Sequence, residues 1–218
     1  MKDSAVTRWW WVRHAPVIYK EGVIYGQLDV PCDTSDTDSF RALARTLPKD
    51  AVWVTSHLSR TKETAAAIAA QGLKTSKPIV EPDFAEQNMG DWQLKTWDEL
   101  NVETDQLYRA FWHDPAHNAP PGGESFVDVI NRVSAVIRRF NADYAGADIV
   151  AVAHGGTIRA AVAMALDLTP ERALAVTTSN LALTRLDFTA DEGEHVSYGI
   201  RVGKNGAWRV VGINMPSA

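Results

Sequence analysis

Two apolar runs of strand length, far apart in the chain, each end in a histidine. Trp9–Val12 runs into Arg13-His14-Ala15, and Ile149–Ala153 runs into His154-Gly155-Gly156-Thr157. Aromatic and β-branched residues bounded by turn-forming residues read as buried strands. Open α/β sheets bind ligands beyond the carboxyl ends of their strands. A fold that sets both runs in one sheet therefore brings two imidazoles and at least one guanidinium to a single edge. A cationic cleft of that kind suits phosphate.

The remaining segments alternate between strand and helix periods. Arg8–Val12, Ala51–Thr55, Ile79–Glu81 and Leu181–Phe188 read as strands. Ser39–Leu47, the Ala-rich Ser59–Gln71 with Gly72 as its stop, Thr96–Trp112, Ser125–Tyr144 and Thr157–Ala165 read as helices. Gly206–Val211 is expected to close a terminal hairpin with Val196–Val202. Alternation of this kind predicts an α/β fold, a three-layer α/β/α sandwich around a central, mostly parallel sheet. No repeat or flexible linker divides the 218 residues. A single domain over 1–218 is expected, with cap elements at about 97–121 and the hairpin at about 196–211.

Composition narrows the partners. A formal net charge of −5 without a basic stripe argues against nucleic acid, while leaving room for a small basic pocket. Met1-Lys2-Asp3-Ser4 lacks an apolar signal core and no run reaches membrane-spanning length, so no membrane partner and a cytoplasmic location are expected. Cys32 is the only cysteine, which excludes an internal disulfide and a cysteine metal site. Beside Pro31 and Asp33 it has no local basic partner to activate it.

Four elements carry candidate chemistry. Arg13 offers a planar fork of donors, and its charge favours a neutral, nucleophilic His14; alone, the dipeptide reads more simply as a solvated pair. In Ser56-His57-Leu58-Ser59-Arg60, Arg60 falls in the first turn of a helix, where anions bind well. Ser56 or Ser59 would cap that helix, and His57 suits a capping or supporting role. Gly155 and Gly156 let backbone approach a ligand beside His154. Arg159, one turn on, reads as a structural ion-pair partner. Glu86, in Phe84-Ala85-Glu86-Gln87-Asn88-Met89-Gly90-Asp91-Trp92, could be kept protonated by a neighbouring phosphate and serve as acid and then base. Spacing alone does not separate it from Glu81, Asp83 or Asp91. His113-Asp114-Pro115-Ala116-His117 has metal-like spacing, but Pro115 interrupts helical pairing, so no metal is expected.

Together these motifs resemble one family. Arg-His near the amino terminus, Ser-x-Leu-x-Arg-x-x-x-Thr-Ala, Glu-x-x-x-Gly-x-Trp, Pro121-Gly122-Gly123-Glu124-Ser125 and His154-Gly155-Gly156 occur in the order of the histidine phosphatase superfamily, phosphoglycerate mutase-like branch. The resemblance implies that His14 is phosphorylated, that Arg13, Arg60, Gly155 and His154 build the phosphate pocket, and that Glu86 donates the proton. It makes Gln27, in Tyr25-Gly26-Gln27-Leu28-Asp29, the substrate contact. That loop with Ala15-Pro16-Val17 is also similar to α-ribazole phosphatase-like members. The chain departs from the family pattern at Ala15-Pro16, where Gly-Glu is common, and in Cys32–Ser39, which lacks the usual Leu-Thr-x-x-Gly turn. Lys20 stands where asparagine is common and would meet phosphate as a flexible point charge.

The function expected on this basis is hydrolysis of a small phosphorylated metabolite through a phosphohistidine, with no cofactor. A short cap between Glu86 and Glu124 leaves water access and favours hydrolysis over the alternative, a mutase. A non-catalytic binder of phosphorylated ligands is the rival of a different class. Pro16–Pro31 and Trp97–Pro121 are expected to shape specificity; phosphosugars, phosphoglycerate and nucleotide-loop precursors all fit.

Overall fold

The computed structural model describes residues 5–101, 106–190, 196–197, 200–201 and 206–217. Its centre is a six-stranded mixed sheet in the order β3-β2-β4-β1-β5-β8. The strands are β1 (Val6–Arg13), β2 (Val52–Thr55), β3 (Ile79–Val80), β4 (Asp148–Ala153), β5 (Leu183–Thr189) and β8 (Ala207–Met215). A separate small pair joins β6 (Val196–Ser197) to β7 (Ile200–Arg201). β1, β2, β3 and β4 run parallel, and β5 and β8 add antiparallel strands at one side.

Side-chain alternation explains why β1 and β4 sit centrally. Trp9 and Trp11 enter one core with Ile149, Ala151 and Ala153. Val12, Val150 and Val152 enter the core on the opposite face. Trp9 and Trp11 stack at 5.0 Å and are fully buried. Each such indole contributes on the order of 4–6 kcal/mol of transfer free energy. Slipping β1 by one residue would turn both indoles to the other face, so its register is strongly specified.

Helices cover both faces. α1 (Thr37–Thr46) and α2 (Ser59–Ala69) place Phe40, Leu43, Ala65 and Ile68 in one core. α5 (Phe126–Asp143) and α6 (Gly155–Leu166) fill the other with Val129, Val133, Ile137 and Ile158. Ser125 and Asp128 form a reciprocal capping box that starts α5 where the sequence expects it. A short helix, α7 (Pro170–Leu174), follows α6.

The expected helix Thr96–Trp112 takes the form of α3 (Trp97–Asn101) and α4 (Gln106–His113); residues 102–105 between them lie outside the described residues. A third core of Ile24, Met89, Trp92, Leu100 and Phe111 ties this cap to the loop before α1. The terminal hairpin is corrected. β8 pairs with β5 in the main sheet, and Val196–Ser197 pairs locally with Ile200–Arg201. The reason is packing: Leu186 of β5 is fully buried, and Phe188 meets Trp208 at 5.0 Å. Among the described residues no helix is long and apolar enough to cross a membrane.

Candidate active site

The sheet register assembles the site. Val12 pairs with Val152 and Arg13 with Ala153, and the ladder continues with His14 N–H donating to the Ala153 carbonyl at 2.9 Å. His14 and His154 therefore leave adjacent parallel strands side by side, with ring centroids 5.1 Å apart. Both are fully buried. His14 Nδ1 lies 2.7 Å from the Ala15 carbonyl, which can only accept, so Nδ1 carries the proton. Nε2 keeps its lone pair and is buried without a partner. Burial, then the charge of Arg60, pull the His14 pKa down to about 3. At neutral pH the ring is therefore neutral, with a free lone pair on Nε2.

His154 is held by Arg60 and Ser56. Arg60 Nε donates to His154 Nδ1 at 3.3 Å, which leaves Nε2 as the donor to Ser56 Oγ at 2.8 Å. Burial and the charges of His14, Arg60 and Arg13 hold its pKa well below the ordinary value. The unliganded ring is therefore neutral and N–H-donating, and the protonated alternative is disfavoured until an anion enters.

The guanidinium groups come from the expected places. Arg60 lies in the first turn of α2, fully buried, and donates to the Leu28 carbonyl at 2.8 Å and the Gly26 carbonyl at 2.7 Å. The cap of α2 differs from expectation: Leu58 occupies that position, and Asp29 from the preceding loop accepts from Ser59 N–H and Oγ at 2.7 Å each. Arg13 Nη1 donates to the Thr178 carbonyl at 2.5 Å, while its Nε is buried and unpartnered. Thr178 Oγ1 is another unpartnered buried atom. A Cβ at Gly155 would stand 3.2 Å from that hydroxyl and 3.7 Å from the Arg13 guanidinium. Arg13 Nε and Thr178 Oγ1 are donors held dry with no internal partner, a costly state that an anion relieves, and the unpartnered His14 Nε2 lone pair lies in the same group.

Glu86 reaches this group through α6. Its Oε1 accepts from Gly156 N–H and from Gln87 N–H, both at 3.0 Å. A Cβ at Gly156 would stand 2.5 Å from that oxygen, so this glycine is what lets the carboxyl dock. With Oε1 anchored on two N–H groups, Oε2 is the carboxyl oxygen left for other contacts. Beyond Glu86 opens a cavity of about 520 Å³. Tyr25, Met89, Trp97, Phe111, Trp112 and Leu174 give it apolar walls, and Glu86, Gln87 and Arg159 its charged and amide groups.

A family model of the histidine phosphatase superfamily (branch 1) matches residues 9–201. The chain belongs to that superfamily. A glucosyl-3-phosphoglycerate phosphatase of Mycolicibacterium vanbaalenii is 34% identical over 168 residues, covering 72% of this chain and 73% of that one. A metal-independent phosphoserine phosphatase of Arabidopsis thaliana is 30% identical over 164 residues, covering 72% and 68%. The solved native structure of a mycobacterial glucosyl-3-phosphoglycerate phosphatase superposes with a TM-score of 0.77 at 27% identity, covering 96% of this chain and 99% of that one.

In this histidine phosphatase the geometry gathers His14, His154, Arg13, Arg60, Gly155 and Glu86, and treats the other expected residues differently. Gln27 turns its amide to the Glu86 carbonyl at 2.8 Å and to Glu124 at 3.5 Å, so it braces the acid's loop. Lys20 stays outside the buried group, exposed to solvent. Arg159 makes no ion pair among the described residues and donates instead to the Val176 carbonyl at 2.8 Å. His117 joins Asp114 and Glu171, not His113, in an exposed cluster at 2.9 and 3.4 Å. Burial pushes the Cys32 thiol up to about 11, which leaves it an inert thiol.

Sequence reasoning passed over several supports of the histidine phosphatase site. Asn180 donates to the His14 carbonyl at 2.7 Å, and Thr64 accepts from Ala15 N–H at 2.9 Å. Arg132 on α5 pairs with Glu124 at 2.8 Å and donates to the Ala85 and Glu86 carbonyls. Thr157 adds hydrogen bonds to the carbonyls of Phe84 and Ala85. The available signals were Thr64, Glu124 and Thr157, each already inside one of the motifs.

Proposed function

We propose that this protein is a phosphomonoesterase that hydrolyses a small phosphorylated metabolite through a phosphohistidine. The observation that carries the reading is the buried, unpartnered Nε2 of His14, held in one tautomer by Ala15 beside unsatisfied donors of Arg13 and Thr178. Nε2 attacks phosphorus in line, the bond from phosphorus to the leaving oxygen breaks, and Glu86 gives that oxygen its proton. Glu86 then takes a proton from water as the water attacks phosphorus and the P–N bond breaks. Arg13, Arg60, the N–H of Gly155 and His154 meet the charge on the equatorial oxygens, a preorganised electrostatic role. A bound dianion favours protonation of His154, opposite to the effect of the guanidinium groups.

The names of the relatives support phosphatase chemistry, one of them metal-independent, and Arg60 and Arg13 supply the positive charge beside His14, so the reading assigns no step to a metal. Hydrolysis is favoured over phosphoryl return to a bound product because the cap leaves Trp97 and Trp112 at 37% and 50% exposure beside the cavity, where water enters. A non-catalytic binder has no use for a free imidazole lone pair. The cytoplasm fits a chain with one buried free cysteine. The test is phosphate release from a panel of phosphomonoesters in excess chelator, run beside an assay for phosphoglycerate isomerisation. Release that persists in chelator is expected; loss restored by added metal, or isomerisation without release, would overturn the proposal.

A further inference from the structure

We infer that the cavity beyond Glu86 selects phosphomonoesters whose leaving group is aromatic or otherwise apolar and carries one carboxylate, received by Arg159. This rests on the phosphomonoesterase reading and adds to it the substrate class.

The lining decides the first half. Tyr25, Trp97, Phe111 and Trp112 present aromatic surface, and Met89 and Leu174 extend it. The polar atoms are few and mostly committed. Gln87 donates its amide to the Glu124 carbonyl at 2.9 Å, and Glu86 is docked on α6 for proton transfer. A hexose placed here would lose the hydration of several hydroxyls with few partners in return. A ring or alkyl chain loses nothing and gains stacking against indole and phenol faces. Trp112 on α4 and Trp97 on α3 are also exposed, at 50% and 37%. Apolar side chains left in water around a concavity mark a ligand site.

Arg159 decides the second half. It is rooted in α6, where its Nε is fixed by the Val176 carbonyl at 2.8 Å. It is half-buried, lines the cavity and has no ion-pair partner among the described residues. The Glu86 carboxylate acts on it across the cavity without an ion-pair contact, so the desolvated guanidinium is only partly compensated in the empty protein. The planar fork matches a carboxylate in two parallel hydrogen bonds. Arg159 lies one helical turn beyond Gly155, roughly 6 Å along the axis. A carboxylate on the leaving group, displaced from the phosphate by about a ring's width, meets it there.

The experiment compares kcat/KM for phenyl phosphate, meta-carboxyphenyl phosphate and a hexose phosphate. The carboxylated ester is expected to lead phenyl phosphate by about ten- to hundred-fold, the range of a charge-assisted bidentate contact. Arg159→Gln should bring that ratio to near one through KM, with Arg159→Lys between. Trp112→Ala, at an exposed site that leaves the core intact, should lower both aryl esters against the hexose phosphate by about five-fold. Binding of meta-hydroxybenzoate by calorimetry, lost in Arg159→Gln, reads the cavity without turnover. A hexose phosphate preferred to both aryl esters, or a ratio unchanged by Arg159→Gln, would overturn the inference. So would an equal loss on every ester, which would mean that Arg159 acts through Glu86 or the fold. Arg159-dependent binding of the acid with no ester hydrolysed at all would instead refute the phosphomonoesterase reading and leave this site standing.

Discussion

Around the strand tips His14, Arg60 and His154 are fully buried, with His14 held by the Ala15 carbonyl and His154 by Arg60 of α2. In the cap, Trp97 and Trp112 face the same space from short helices and stand substantially in water. The first region is placed by a ladder register that the double-sided core enforces. The second is placed by a satellite cluster that few residues hold. Chemistry built on paired strands cannot drift without unfolding the sheet, whereas a cap can change its walls and leave the phosphate pocket alone. On the proposed function, the contrast assigns reaction type and substrate class to separable parts of this chain.

The contrast breaks most severely at His14. His14→Ala should cut turnover by at least about 10⁴-fold on every ester, because the nucleophile does not depend on the leaving group. Glu86→Gln should be more selective. Alkyl esters are expected to fall by about 10²–10⁴-fold, the range of general acid–base catalysis. A nitrophenyl ester, which leaves without a proton, should instead show a rapid burst of nitrophenolate and then slow turnover. Stopped-flow absorbance reads both phases. Gly156→Ala should follow at about 10²-fold, since the new Cβ would displace the Glu86 carboxyl and small misplacements carry that cost. Its thermal stability should not fall with its activity, because alanine is the better helix former. Replacing Trp112 should cost only a few fold, and only on substrates that reach the cap.

The smallest effect is on stability. His14 has a folded-state pKa of about 3 against an ordinary 6.5, and His154 is also lowered. Between those values the unfolded chain binds more protons than the folded one, so stability rises with pH there. The contribution is complete above about pH 6.5 and is lost as pH falls below it. Denaturant midpoints measured across pH 4–8 should decline on the acid side, and His14→Asn should flatten that decline by up to about 1.4 kcal/mol per pH unit.

How far the sequence carries the site follows from which interactions are local. His14, His154 and Arg13 were readable because strand periodicity marks where β1 and β4 end, and Arg60 because a helix start follows β2. Ser56, Thr178, Asn180 and Arg132 were not, since each acts through a contact across the fold. Arg132 sits on α5 like any solvated charge until Glu124 and the Glu86 loop are brought beside it. The pairing of β8 failed for the same reason: its own pattern says strand, but only the packing of Leu186 and Phe188 on β5 selects its neighbour. Arg159 was read as an ion-pair residue because the cavity it faces has no local signature.

Rapid mixing of the enzyme with a radiolabelled phosphomonoester, an alkaline quench and mapping of the label probe the nucleophile directly. Label on His14, absent from His14→Ala and retained longer in Glu86→Gln, is the expected result. Phosphate released at full rate with no labelled enzyme, or with label on any other residue, would contradict the account.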